Sequence, residues 1–160
     1  MYFPSGKQTE AHYIYSSFFS RSYFYLYDLV VGKTFTLGKT ERLKSRKIIE
    51  HLFREGNKFT IGPFRVFYLK EPGPLSRLQF AAGVSTKTFR KAVDRNRIKR
   101  LLRESWRVQK NSLKEIFEKK GQSLYVFIIY TGKELPVYLD MHKKINQVIT
   151  RLNALIEPAP

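Results

Sequence analysis

The stretch from Val84 to Lys110, VSTKTFRKAVDRNRIKRLLRESWRVQK, constrains the fold more than any other part of the chain. Wound at ~100° per residue from Arg95, the cations Lys99, Arg100, Arg103, Arg107 and Lys110 fall between about 40° and 140°. Ile98, Leu101, Leu102, Ser105 and Val108 fall between about 220° and 340°. A helix sorted this way lays its apolar side on a core and keeps the cationic side outside. A merely solvated face mixes Glu with Lys to gain i,i+4 pairs, whereas here Glu104 alone stands near the edge of the basic arc.

Like charges gathered on one face repel unless a polyanion supplies the counter-charge, and each neutralised phosphate also releases condensed counterions. Across the chain 30 Lys and Arg face 13 Asp and Glu, a net charge of +17 with pI near 10.2. Nucleic acid is the natural partner. Arg dominates the set Arg95, Arg97, Arg100, Arg103 and Arg107, and its planar fork can bond two phosphate oxygens or stack on bases. Asn96 adds a donor and an acceptor suited to a base or sugar edge. Charge does not distinguish RNA from DNA.

The basic segment belongs to a folded domain, because 42% hydrophobic and 15% aromatic residues supply enough apolar surface to offset chain entropy. No cysteine is present, which excludes disulfides and thiolate metal sites and fits a cytoplasmic protein. The longest apolar runs, such as Leu124 to Tyr130, are far shorter than the ~20 residues of a membrane span. No stable membrane association is expected.

Residues 1–34 form an aromatic extension in which Lys7, Arg21 and Lys33 nearly balance Glu10 and Asp28, leaving +16 of the +17 to residues 35–160. The extension lacks a uniform apolar core and a small-residue cleavage site, so it makes a poor signal peptide. It is expected to be either disordered or a start-site artefact. A domain over 35–156 and a short tail at 157–160 complete the chain.

From Thr40, taken as the cap, the spacing predicts a helix over 41–55 with Ile48, Ile49, Leu52 and Phe53 on its apolar face and Gly56 at its end. Residues 64–69 alternate as a strand, Phe64, Val66 and Tyr68 against Arg65, Phe67 and Leu69. A second strand over 78–85 sets Leu78, Phe80, Ala82 and Val84 against the smaller Gln79, Ala81, Gly83 and Ser85, a face that could lie open. The basic helix is predicted as one element over 94–119, stopped by Gly121. A buried strand over 124–130 and a helix over 137–155 follow. The result is a basic α+β sandwich.

The run Arg95, Asn96, Arg97, Ile98, Lys99, Arg100, Leu101, Leu102, Arg103, Glu104 resembles the arginine-asparagine-arginine signature of the bacterial ribonuclease P protein family. Val84, Ser85, Lys87 and Ala92 stand where that family has its Val-Ser-Lys-Lys segment and helix lead-in, with Thr86 in place of the first lysine. Arg42, Leu43, Leu52, Phe53 and Gly56 match its first helix, and residues 64–69 its strand, so the resemblance covers about 35–155. It implies a single-domain, two-layer α+β sandwich of order α-β-β-β-α-β-α, with a left-handed βαβ crossover carrying the basic helix.

The resemblance further implies a subunit of an endoribonuclease that removes 5′ leaders from precursor tRNA, the RNA subunit and its magnesium ions performing the cleavage. The catalytic-RNA contacts it implies are Lys87, Arg90, Arg95, Asn96, Arg97, Arg100, Arg103 and Arg107. The leader contacts are Ile49, Phe53, Arg65, Phe67 and Lys99, with Ile49 where the family often has another aromatic. Aromatic faces beside cations are independently what a sequence-tolerant single-strand site needs. Phe53 and Phe67 are equally well read as ordinary core residues.

No protein catalytic residue or metal site is evident: His12, His51 and His142 are scattered, and neither Glu50 nor Glu55 has a neighbouring acid that suggests a two-metal centre. Two other readings of the chain compete. An rRNA-binding protein would share the charge and the fold, and a peripheral membrane protein would use the aromatic extension with the basic helix.

Overall fold

The alternation in residues 64–69 becomes one of the two inner strands of the sheet. The structure, a computed structural model, describes residues 36–72 and 76–156, all within the unit that begins at Thr36. The extension 1–34 and the tail 157–160 therefore lie outside the described residues. The elements are α1 (Arg46–Glu55), β1 (Asn57–Ile61), β2 (Phe64–Pro72), β3 (Leu78–Val84), α2 (Ala92–Gln109), α3 (Asn111–Lys120), β4 (Gln122–Tyr130) and α4 (Tyr138–Ile156).

The four strands form one sheet in the order β1-β2-β4-β3. Strand β2 pairs antiparallel with both β1 and β4, while β3 and β4 run parallel. A parallel pair needs a long crossover, and here the chain crosses through α2 and α3. This is the βαβ unit that carries the basic helix.

Period-two alternation gives each face of the sheet its own set of side chains. One face, with Phe64, Val66, Tyr68, Phe80, Val126 and Ile128, is sealed by α2, α3 and α4. Ile98, Leu102 and Trp106 of α2 pack here, and Trp106 stacks on Phe80 with ring centroids 4.5 Å apart. Ile145, Val148 and Leu152 supply the stripe of α4. The opposite face carries a smaller cluster in which Leu43, Leu52 and Tyr125 are buried.

Two expectations are corrected. Helix α1 begins at Arg46, not at residue 41, and its cap is Ser45, whose Oγ accepts from the Ile48 amide at 3.5 Å. Thr40 cannot cap it, because residues 41–43 run extended along β3: the Leu43 amide donates to Phe80 O at 3.0 Å and the Phe80 amide to Glu41 O at 2.9 Å. The helix predicted over 94–119 is two helices, α2 and α3, that meet at Lys110. Gly121 does stop the second, with φ +63. Strand β1, which periodicity did not locate, supplies the first of the three strands that the resemblance implied before the basic helix and forms an edge beside β2.

Lys110 links the two corrected places. It lay in the cationic arc of the helix, yet its side chain is only 2% exposed and its Nζ donates to Glu41 Oε1. The Glu41 carboxylate also accepts from the Gly38 amide at 2.9 Å and lies 3.9 Å from Lys114 Nζ. Burial pulls the Lys110 ammonium below its ordinary pKa, aided by Lys114 and Arg107 and opposed by Glu41. For Glu41 burial acts upward, but the Lys110 and Gly38 hydrogen bonds and the lysine charges outweigh it and hold the carboxyl below its usual range. One ion pair thus fastens the segment before α1 to the junction of α2 and α3.

Candidate nucleic-acid interface

Two surfaces carry the candidate residues. On the first, α2 buries Ile98, Leu102, Ser105 and Trp106 and turns Asn96, Arg97, Arg100 and Arg103 to solvent. Lys87 and Arg90, in the loop from β3, are exposed as well. Their neighbour Lys91 is also exposed and extends the same basic surface.

Arg95 and Arg107 stand apart from this set, since each makes contacts inside the protein. The half-buried Arg95 donates through Nη1 to Phe89 O at 2.9 Å and Arg90 O at 2.6 Å, which folds the loop onto the first turn of α2. That tie supports a helix start whose N-cap, Lys91, provides no side-chain hydrogen bond. Arg107 is half-buried and pairs with Glu104, Nε to Oε2 at 3.0 Å. Tyr138 packs at the same place, and burial, reinforced by Glu104 and opposed by Arg107, raises its hydroxyl pKa.

The second surface is the sheet face that α1 covers only in part. Strand register sets its side chains in rows. Lys58, Phe67, Phe127 and Ala81 form one row, and Thr60, Arg65, Ile129 and Gly83 form the next. Helix α1 lies against Leu69 and Tyr125 through Leu52 and presents Phe53 to the first row. The Phe53 ring meets Phe67 edge to face at 4.8 Å and Phe127 at 5.0 Å, and it remains 42% exposed. It therefore belongs to an open surface rather than to a sealed core.

Lys58, Thr60 and Arg65 border the aromatic cluster and are exposed, and no acid occupies either row. Glu55 and Glu71 instead flank His51, at 3.6 Å and 3.3 Å. Gly83 leaves room for the Phe127 ring: a Cβ there would lie 2.7 Å from its Cε1, so any side chain would displace that ring.

The structure brings Phe53, Phe67, Arg65 and Ile49 to this face, with Ile49 half-buried against the smaller cluster. Lys99 is half-buried on α2, the helix packed on the other face, and so belongs to a different element from the other four. Phe127 and Lys58 were missed. Phe127 lies in the uninterrupted apolar run of β4, where no alternation tells which side chains share a face, and Lys58 lies in the strand that was not located. Among the described residues no group of three or more His, Cys, Asp or Glu is placed to hold a metal ion, and no helix is long and apolar enough to cross a membrane.

Fold and surfaces together define a class: a small basic α+β sandwich, sealed by helices on one face, with an arginine-rich helix in a parallel crossover. The model of the Ribonuclease P family matches residues 37–153. The ribonuclease P protein component of Porphyromonas gingivalis strain W83 is 32% identical over 120 residues, which span 74% of this chain and 88% of the relative. That of Dictyoglomus turgidum is 34% identical over 106 residues, 66% of this chain and 80% of the relative. Among solved structures, the RNase P protein from Thermotoga maritima aligns with a TM-score of 0.55 at 25% identity, covering 69% of this chain and 96% of that one. The Staphylococcus aureus RNase P protein shares the fold, with a TM-score of 0.53 at 18% identity over 74% and 100% of the two chains. The chain belongs to the ribonuclease P protein family, and its role is that of the protein component of the enzyme.

Proposed function

We propose that the protein binds the ribonuclease P RNA through the exposed cations of α2 and its lead-in loop, and holds the 5′ leader of precursor tRNA on the open sheet face. The single observation that carries this reading is the row Lys58, Phe67, Phe127 and Ala81, with Phe53 over it and Arg65 beside it. Aromatic faces bind any base by stacking, at about 1–3 kcal/mol per base, and neighbouring cations meet the backbone without selecting sequence. Such a surface suits a leader whose sequence varies from one tRNA to the next. The exposed Arg97, Arg100 and Arg103 suit a structured RNA, whose phosphates a guanidinium fork can bind two oxygens at a time.

In this assembly the RNA subunit and the magnesium ions it holds perform the cleavage. The protein raises affinity for substrates that carry a leader. The experiment is magnesium-dependent cleavage of a precursor tRNA at low salt by the organism's own ribonuclease P RNA, with and without the protein. Stimulation by a protein that is inactive alone supports the proposal. No effect on precursor affinity or cleavage would refute it and favour an rRNA-binding role.

A further inference from the structure

Beside the aromatic row lies a pocket of about 270 Å³ to which no role has been given. It wraps the outer edge of β3: Phe80 and Ala82 contribute from the helix-covered face, and Ala81 from the open face. Its outer wall is the extended segment before α1, with Leu43 buried and Arg42 and Lys44 exposed, and Arg103 reaches it from α2. Among the described residues that line it, three are cations and none is an acid.

The segment is held rigidly. Arg42 sits in a β-bridge to Phe80, flanked by the two backbone bonds at 3.0 and 2.9 Å, and the Glu41–Lys110 pair anchors it from the other side. The Arg42 guanidinium is oriented by its Nε, which donates to Leu37 O at 3.2 Å, and among the described residues neither Nη group has an acceptor. Two arginines and a lysine around a small concave site, one of them pre-set by the backbone, fit the tetrahedral oxygens of a phosphate.

We propose that this pocket binds a backbone phosphodiester of the single strand that crosses the open sheet face. The inference rests on the leader-binding reading of that face and extends it past the sheet edge. Ala81 belongs to both sites: it ends the row that contains Phe67 and Phe127, and it lines the pocket. From Phe67 across β4 and β3 to the bridged segment is three strand spacings, about 14 Å. A strand stacked on the aromatic cluster therefore reaches the pocket only if its leader is long enough to continue beyond it. Arg103, exposed on α2, joins the leader path to the surface proposed for the catalytic RNA.

The test uses protein reconstituted with its ribonuclease P RNA and a series of precursor tRNAs whose leaders lengthen one nucleotide at a time, with mature tRNA as reference. Arg42→Ala with Lys44→Ala should weaken binding of long-leader precursors roughly tenfold, the scale of a lost charge-assisted contact. The slope of log affinity against log salt should fall by about 0.7 for those substrates. Mature tRNA and the shortest leaders should bind unchanged. Lys44→Glu alone, which alters one exposed side chain, should act in the same direction and guards against misfolding of the double variant.

Equal weakening at every leader length, with weaker assembly on the RNA subunit, would assign the phosphate to the catalytic RNA and overturn the proposal. Unchanged binding throughout would also overturn it. Phe67→Ala, measured in the same series, separates the two levels of the argument. If it shows a leader-dependent loss while the pocket variants show none, the pocket assignment fails and the leader reading survives; if neither shows one, both fail.

Discussion

Replacing Phe67 with alanine separates a binding ring from a core ring. The side chain is half-buried on the open face, and one of its neighbours, Phe53, is itself 42% exposed. Removing it forfeits the edge-to-face contact at 4.8 Å, worth about 0.5–1.5 kcal/mol, and part of its apolar burial. A fully buried Phe→Ala change costs about 3–5 kcal/mol, so a half-buried ring should cost about 2 kcal/mol of stability. The protein should therefore remain folded at 25 °C. On top of this, one lost stacking platform should weaken the precursor complex by about 1–3 kcal/mol, or roughly 5- to 150-fold.

The assay is equilibrium binding of the reconstituted holoenzyme to precursor and to mature tRNA, alongside urea denaturation of the free protein. Leu52→Ala serves as the contrast: Leu52 is fully buried and seats α1 on the sheet, so its loss should cost about 2–5 kcal/mol of stability. Phe67→Ala should weaken the precursor far more than the mature tRNA. Equal losses for both RNAs at unchanged stability would refute the assignment of the face to the leader. A stability loss as large as that of Leu52→Ala would return Phe67 to the core.

The exposed Arg97 and the internally bonded Arg95 should behave differently: Arg97→Ala should flatten the salt dependence of RNA-subunit binding by roughly 0.7–0.9 per lost phosphate contact, measured by filter binding across a salt series. Arg95→Ala should instead lower the urea midpoint, since it frees the Phe89 and Arg90 carbonyls from their shared donor. Lys110→Met should destabilise the protein by about 2–4 kcal/mol, because it leaves the Glu41 carboxylate without its buried partner, and adding Glu41→Gln should recover part of the loss. Glu41 has a folded-state pKa below its ordinary value of 4.5, so the unfolded chain binds the proton more readily and the stability from this group is lost as pH falls from about 4.5 through the lowered value. Acid denaturation of Glu41→Gln should lack that component, and an identical acid limb would contradict it. Gly83→Ala should push the Phe127 ring out of place, costing about 1–3 kcal/mol by overpacking and weakening leader-bearing substrates in the same binding assay.

The interior of this protein was formed by the same periodicities that made it readable. Ile98 and Leu102 recur at helical spacing and are fully buried, while Arg97, Arg100 and Arg103 between them are exposed. Phe64, Val66 and Tyr68 alternate with Arg65, Phe67 and Leu69 and go to opposite faces. In each case a local repeat matches the repeat of the backbone, so one segment suffices to sort its own side chains.

The amino-acid sequence by itself thus determined most of the elements and their apolar faces, though not β1, the start of α1 or the break between α2 and α3, together with the excess of positive charge and the signature of the basic helix. What only the tertiary structure decided depends on residues far apart in the chain. Lys110 looks cationic and exposed on a helical wheel, but it is buried because Glu41, 69 residues away, meets it across the fold. Thr40 and Glu41 look like the start of a helix, yet Phe80 draws the following residues into an extended bridge. Phe127 joins Phe53 and Phe67 only once β4 lies between β2 and β3 in register. Helical and strand periodicity are properties of one segment, whereas ion pairing, edge bridging and cross-strand register are properties of pairs, and a pair becomes legible only when the chain has brought its members together.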